Sequence, residues 1–323
     1  MDPVLSRIER ALEALAGREA ACDLCPRECG ANRTDAEAGV CGIGPRAGLA
    51  RALLHYGEEP VISGREPAPG PGSGTIFFTG CNLGCLFCQN YQISWERQGH
   101  LVSDAELASA MLDLQGKGAL NINLVSPSHV VLPALRALRL ARRDGLNLPL
   151  VWNSNGYEKE AVVERLAGIV DVYLPDLKYV SPELSARYAG AADYFDWAGP
   201  ALQEMYVQQP DLVLDENGIA RAGMIIRHLV LPGCTDDSLA ALEWIAGRLS
   251  PAVGLSLMSQ YHPCHQAPPE LQRGVRADEY GRVLTRAGEL GFENLFVQPD
   301  VFPEDGRLVP DFRRDEPFRW KPD

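Results

Sequence analysis

At 323 residues, with 46% hydrophobic and 23% charged side chains, the chain has the composition of a globular protein large enough to bury a substantial core. Its formal charge of −13 repels phosphate backbones, which argues against nucleic acid as a partner. No apolar run approaches the length of a membrane span and no basic, apolar signal segment opens the sequence, so no membrane association and a cytoplasmic location are expected.

In chain order, Val4, Leu5, Ile8, Leu12 and Leu15 fall on one helical face, predicting an amphipathic helix over 3–16 that ends near Gly17. Residues 22–44 carry cysteines and little apolar periodicity, so something other than a hydrophobic core must order them. The Gly- and Pro-dense stretch 64–74 is expected to separate an N-terminal helix and Cys-rich appendage, 1–63, from a main domain, 75–300, followed by a tail, 301–323. Within the main domain, apolar runs at 75–79, 121–125, 149–152, 170–174, 225–231, 254–259 and 294–298 predict strands. Helical patterns lie near 104–115, 133–144, 158–167, 236–249 and 276–288. Ser103 with Glu106 forms a capping box for the first, Asp236 or Asp237 is a candidate cap for the fourth, and 211–221 resembles a hairpin. Strand–helix alternation at this spacing implies parallel strands with right-handed crossovers, either a doubly wound sheet or a complete or partial barrel. In either case the chemistry belongs at the C-terminal ends of the strands.

Nine cysteines in a chain without an export signal favour metal ligation or catalysis over disulfides. Three of them, Cys81, Cys85 and Cys88, lie on the loop leaving the first predicted strand of the main domain. Three thiolates on one tight loop suit three irons of a cubane cluster and leave the fourth open to an exogenous ligand. The bland alternatives are a three-cysteine zinc site completed by a histidine, or buried thiols.

The Cys-x3-Cys-x2-Cys spacing, with Phe87 before the last cysteine and a strand before the first, resembles the radical S-adenosylmethionine (SAM) superfamily. More narrowly, Gly74–Ser94, Asn153–Gly156, Asp176-Leu177-Lys178, Arg227–Asp237 and Tyr261-His262 are similar to segments of the pyruvate formate-lyase activating enzyme group, the activases of glycyl radical enzymes. The resemblance implies an α/β fold, a partial (β/α)6 TIM-like barrel of the radical SAM type carrying a small Cys-rich N-terminal appendage. It implies a [4Fe-4S] cluster on Cys81, Cys85 and Cys88, with SAM bound at the open iron and cleaved reductively to a 5′-deoxyadenosyl radical that abstracts hydrogen. It also implies a reductant such as flavodoxin or ferredoxin and a protein substrate, such as a glycine in a partner.

By the same resemblance, Lys178, Arg227 and His262 are the expected SAM contacts, since the SAM carboxylate suits cationic partners. Asp176 taken singly is a salt-bridge residue. The resemblance places a monovalent cation beside SAM at Asn153 and Ser154, but a strand-ending turn is the preferred reading of 153–156. Where many superfamily members have a Gly-Gly-Glu-like loop for the SAM amino group, this chain has Ser126-Pro127-Ser128-His129, with no carboxylate.

Cys22, Cys25, Cys29 and Cys41 form a second group whose knuckle-like pairs, Cys-Pro and Cys-Gly among them, suit zinc or a second iron site. Cys234 and Cys264 have no paired spacing and are expected to be buried thiols. A competing function, a non-catalytic iron–sulfur electron carrier or redox sensor, would need neither an open iron nor converging polar groups.

Overall fold

The computed structural model describes residues 3–35, 37–64, 71–298 and 309–318. The strands in chain order are β1 Ala47–His55, β2 Ser73–Phe78, β3 His100–Val102, β4 Ile122–Val125, β5 Leu150–Ser154, β6 Val172–Pro175, β7 Val213–Leu214, β8 Ala220–Leu229, β9 Gly254–Met258 and β10 Leu295–Val297. They form a sheet ordered β10-β9-β8-β6-β5-β4-β2-β1-β3, with β7 paired to the start of β8. From β2 to β10 the neighbours on this path are parallel, whereas β1 pairs antiparallel with β2 and β3. The sheet does not close on itself, so the architecture is an open, partial α/β barrel with antiparallel strands added at one edge.

The period-two alternation of the parallel strands separates two apolar faces. Leu124, Trp152, Tyr173, Met224, Ile226 and Leu257 belong to the main core, shared with the flanking helices. Their sequence neighbours Val151, Val172, Leu174 and Ile225 form a second cluster on the opposite, inner face. The chain after β1 enters that second cluster. Ile62, on the short helix Pro60–Ser63, is wholly buried in it, so segment 57–63 fills the inside of the partial barrel.

The first helix, Pro3–Leu15, buries Ile8, Ala11 and Leu15 and packs against helix Val131–Arg143. Helix Asp104–Gly116 carries the expected capping box, with both Ser103 and Glu106 bonds present. Helix Thr235–Arg248 is not capped by either aspartate; instead Asp237 accepts the backbone N–H groups of Val180 and Ser181, 3.1 and 2.7 Å away, and so ties the end of the Lys178 loop. The 211–221 hairpin is present as β7 and the start of β8. Helix 158–167 is shorter than its pattern, α-helical over Glu160–Val163 and continuing as a 3-10 turn to Leu166. Two helices, Pro182–Ala189 and Tyr194–Gln208, fill an interval where no helix was expected.

The sheet runs across the 64–74 interval because β1 and β2 are hydrogen-bonded from Leu49 opposite Phe78 to His55 opposite Ser73. Of that interval, 65–70 lie outside the described residues, as do 299–308 and 319–323 of the segments expected to close the main domain and form the tail. Among the described residues no helix is long and apolar enough to cross a membrane.

Candidate active site

The loop that leaves β2 begins at Gly80, whose φ is +79° and where a Cβ would sit 2.3 Å from the carbonyl oxygen of Cys41. Both the backbone conformation and the close approach require glycine there. Cys81, Cys85 and Cys88 follow on the same loop, all partly buried free thiols. The Leu83 amide and the Asn155 side-chain amide donate to Sγ of Cys81 at 3.4 and 3.5 Å, and the Ser94 hydroxyl donates to Sγ of Cys88 at 3.2 Å. Burial pushes the Cys85 thiol up to about 12, opposed by Lys178 and reinforced by the sulfurs of Cys88 and Cys81. Burial also raises Cys88. Burial thus favours the protonated thiols of Cys85 and Cys88, and a metal must displace those protons to bind.

Cys85 and Cys88 open on a cavity of about 910 Å³ that also receives Asn153, Asp176, Lys178 and Arg227. Asn153, Asp176 and Arg227 each lie two residues beyond a member of the inner cluster, Val151, Leu174 and Ile225, so strand alternation aims them inward at the C-terminal ends of β5, β6 and β8. Phe77, Val125, Leu229 and Met258 supply apolar wall, and Pro317 and Phe318 reach it from the C-terminal segment. Phe312 and Phe318 pack on Phe77 with ring centroids 5.3 Å away in each case.

Four of the cavity's charged groups, Glu58, Asp176, Lys178 and Arg227, form one paired network. Arg227 donates from Nε to Oδ1 of Asp176 at 2.9 Å, from Nη1 to Oε2 of Glu58 at 2.9 Å and from Nη2 to Oδ1 of Asn153 at 2.6 Å. Lys178 donates from Nζ to Oδ2 of Asp176 at 2.6 Å. Burial works to raise the Asp176 carboxyl, but Arg227 and Lys178 prevail and hold it below the usual carboxylate range. Burial works to lower Lys178, and Asp176 followed by Cys85 raises it instead. Asp176 thus fixes the two cations with one carboxylate, a fuller role than a surface salt bridge.

Glu58 is the residue that spacing in the sequence did not reveal. It also accepts from the side-chain amides of Asn123 and Asn153, at 3.2 and 3.1 Å, and it lines the cavity. It therefore supplies a carboxylate from the segment upstream of the barrel, whereas Ser126–His129 supplies none. In that segment the Ser126 amide bonds the Asn153 carbonyl at 2.7 Å, the Ser128 hydroxyl bonds Glu158 at 2.7 Å, and His129 Nε2 bonds the Thr79 carbonyl at 2.8 Å. His262 is not among the residues lining the cavity, which takes Gln260 and Tyr261 from that loop instead. Asn153 faces the cavity as an inward strand residue, while Ser154 Oγ accepts the Gly156 amide at 3.0 Å in a strand-ending turn.

Cys22, Cys25 and Cys41 are buried and Cys29 is half-buried, grouped around Arg33 rather than in the cavity. Cys264 donates to the Phe87 carbonyl at 3.2 Å, and Cys234 is half-buried. Among the described residues no three Cys, His, Asp or Glu side chains stand where they would hold a single metal ion; the zinc or second iron site expected at Cys22, Cys25, Cys29 and Cys41 is therefore not formed as a single-ion site, and the cluster expected at Cys81, Cys85 and Cys88 would spread its ligands over several irons.

Comparison with known proteins places residues 75–245 in a match to the model of the Radical SAM superfamily. The uncharacterized protein MJ0674 of Methanocaldococcus jannaschii is 30% identical over 287 residues, covering 85% of this chain and 76% of that protein. Among solved structures, native anSMEcpe with bound AdoMet aligns with a TM-score of 0.45 at 14% identity, over 68% of this chain and 61% of that one. Streptococcus suis SuiB bound to S-adenosylmethionine aligns at 0.45 and 11%, over 69% and 50%, and methylornithine synthase (PylB) at 0.44 and 12%, over 67% and 60%. The chain thus spans 50–61% of the length of these solved structures. The match over more than half its length shows that this chain belongs to the radical SAM superfamily.

Proposed function

We propose that the chain is a radical SAM oxidoreductase that holds a [4Fe-4S] cluster on Cys81, Cys85 and Cys88 and positions SAM with Lys178 and Arg227. The observation that carries the reading is that two of the three thiols and both cations line one cavity. The donor set fits the cluster: three thiols on one loop, with amide and hydroxyl donors on Cys81 and Cys88 that favour the thiolate form. When bound, the cluster and SAM supply an electron and a 5′-deoxyadenosyl radical for hydrogen abstraction. The chain's own part is to orient and to exclude water. Asp176 aims Lys178 and Arg227 at the SAM carboxylate, and Phe77, Val125, Leu229 and Met258 keep the reacting end dry.

The activase-like segments at Asp176-Leu177-Lys178, Arg227 and Tyr261 support a finer reading, in which the substrate is a glycine of a partner protein and the electron comes from flavodoxin or ferredoxin. Addition of SAM to the reduced protein should change the EPR signal of its cluster, because SAM takes the open iron. An unchanged signal would favour the electron carrier. For the substrate, proteins from cells grown on deuterated glycine and freed of small molecules should pass deuterium to 5′-deoxyadenosine. A substrate that is not a protein glycine would leave the product unlabelled.

A further inference from the structure

Ser94 ends the four-residue helix Tyr91–Ser94 that follows the cysteine loop, and its hydroxyl donates to Sγ of Cys88 at 3.2 Å. Among the described residues that hydroxyl has no other hydrogen bond. A helical serine ordinarily turns its hydroxyl back to a carbonyl three or four residues earlier, and a carbonyl oxygen is a stronger acceptor than a neutral sulfur. Ser94 takes the weaker acceptor. The arrangement becomes favourable once Cys88 is a thiolate, because the same O–H then makes a charge-assisted bond.

The contact is held by its surroundings. The Tyr91 amide donates to the Cys88 carbonyl at 3.1 Å and the Ser94 amide to the Asn90 carbonyl at 3.0 Å, which fixes the turn between the two side chains. The Trp95 indole N–H donates to the Cys85 carbonyl at 3.0 Å, and the Gly80 amide donates to the Ile93 carbonyl at 2.8 Å, so the helix is tied to the loop at two further points. Ile93 is buried in one cluster with Ala50, Phe77 and Phe312. Cys88 lines the cavity and Ser94 does not, so the hydroxyl is placed to act on the sulfur rather than on a ligand in the cavity. Asn155, the other side-chain donor to these sulfurs, has structural bonds besides: it donates to Asn82 at 2.8 Å and accepts the Tyr157 amide at 3.0 Å. Ser94 has none.

We propose that Ser94 sets the reduction potential of the cluster through Cys88. The inference rests on the [4Fe-4S] cluster assigned above to Cys81, Cys85 and Cys88. One-electron reduction adds one negative charge to the cluster and its thiolates. A donor to a thiolate sulfur stabilises the more negative state more strongly, so it raises the potential and eases the task of the external reductant. Ser94 acts through Cys88 and is a positioning residue.

The test is a redox titration of the anaerobically reconstituted full chain, followed by the EPR signal of the reduced cluster, for the native protein, Ser94→Ala and Ser94→Thr. At the native midpoint potential, Ser94→Ala should hold about threefold less reduced than oxidised cluster, a midpoint lower by ~30 mV at 59 mV per tenfold for one electron. Its iron content should match the native protein's. Ser94→Thr keeps the hydroxyl and should titrate with the native protein. If Ser94→Ala does not retain its cluster, Ser94→Thr against Ser94→Val gives the same reading, since these two differ in the hydroxyl and little in shape. An unshifted midpoint in Ser94→Ala at full iron content would overturn the proposal and leave the cluster assignment standing. A shift in Ser94→Thr as large as that in Ser94→Ala would assign the effect to packing and overturn it too. A native protein that assembles no cluster would overturn both the proposal and the reading on which it rests.

Discussion

Arg227 and Glu58 lie 169 residues apart in sequence and meet at 2.9 Å inside the partial barrel, joining the segment upstream of the barrel to β8. Both side chains are nearly buried, 16% and 9% exposed. Removing one partner of such a pair leaves a charge with little water, so Glu58→Ala should destabilise the fold by about 3 kcal/mol. Chemical denaturation measures this directly. An unshifted midpoint would mean that solvent or Asp176 alone satisfies Arg227.

The two cations are expected to bind SAM rather than only each other's carboxylates. A charged hydrogen bond to a buried carboxylate contributes about 1.5–3 kcal/mol, so Lys178→Met or Arg227→Gln should weaken SAM binding roughly tenfold or more. Iron content should not change. Equilibrium binding on the anaerobic protein checks both, and unchanged affinity in the two variants would remove these residues from the SAM site.

Tyr194 positions the Lys178 loop from beneath. Its hydroxyl oxygen accepts the Lys178 amide and lies 3.0 Å from the carbonyls of Asn155 and Asp176. Tyr194→Phe should cost about 1–3 kcal/mol in denaturation, since it orphans buried backbone groups. It should also weaken SAM binding with no charge removed. A variant as stable as the native chain would show that these backbone groups find other partners.

His129 makes stability depend on pH. Burial lowers its pKa to about 4 from an ordinary 6.5, the Thr79 carbonyl opposing and Arg33 adding to the shift. Between those values the unfolded chain binds a proton that the folded chain does not. Its contribution is therefore intact above pH 6.5 and is lost as the pH falls toward 4. The difference in unfolding free energy between the native chain and His129→Gln should narrow across that window. A pH-independent difference would mean that His129 is protonated in the fold.

The parallel strands were legible because each is a short apolar run closed by turn residues, and the loop of Cys81, Cys85 and Cys88 stood out because packing does not set such a spacing. β1 was not, since AGLARALLH has no regular alternation and five of its nine residues are only partly buried. The helix Tyr194–Gln208 was obscured by Gly199 and Pro200 within it, a helix that survives because Ala198, Ala201, Leu202 and Met205 are buried. Lys178 and Arg227 could be named from their motifs. Glu58 could not, because only the return of the chain into the barrel brings it to Arg227, and that contact leaves no local pattern. His262 was named from a motif next to Tyr261, yet Tyr261 is the member of the pair that lines the cavity.

The central claim is that Cys81, Cys85 and Cys88 support reductive cleavage of SAM, and product analysis tests it most directly. The anaerobically reconstituted protein, given dithionite and SAM, should release 5′-deoxyadenosine and methionine, and replacing any one of Cys81, Cys85 or Cys88 by Ala should abolish both products. Undiminished SAM cleavage in those variants, or none by the native protein with its full iron content, would contradict the account.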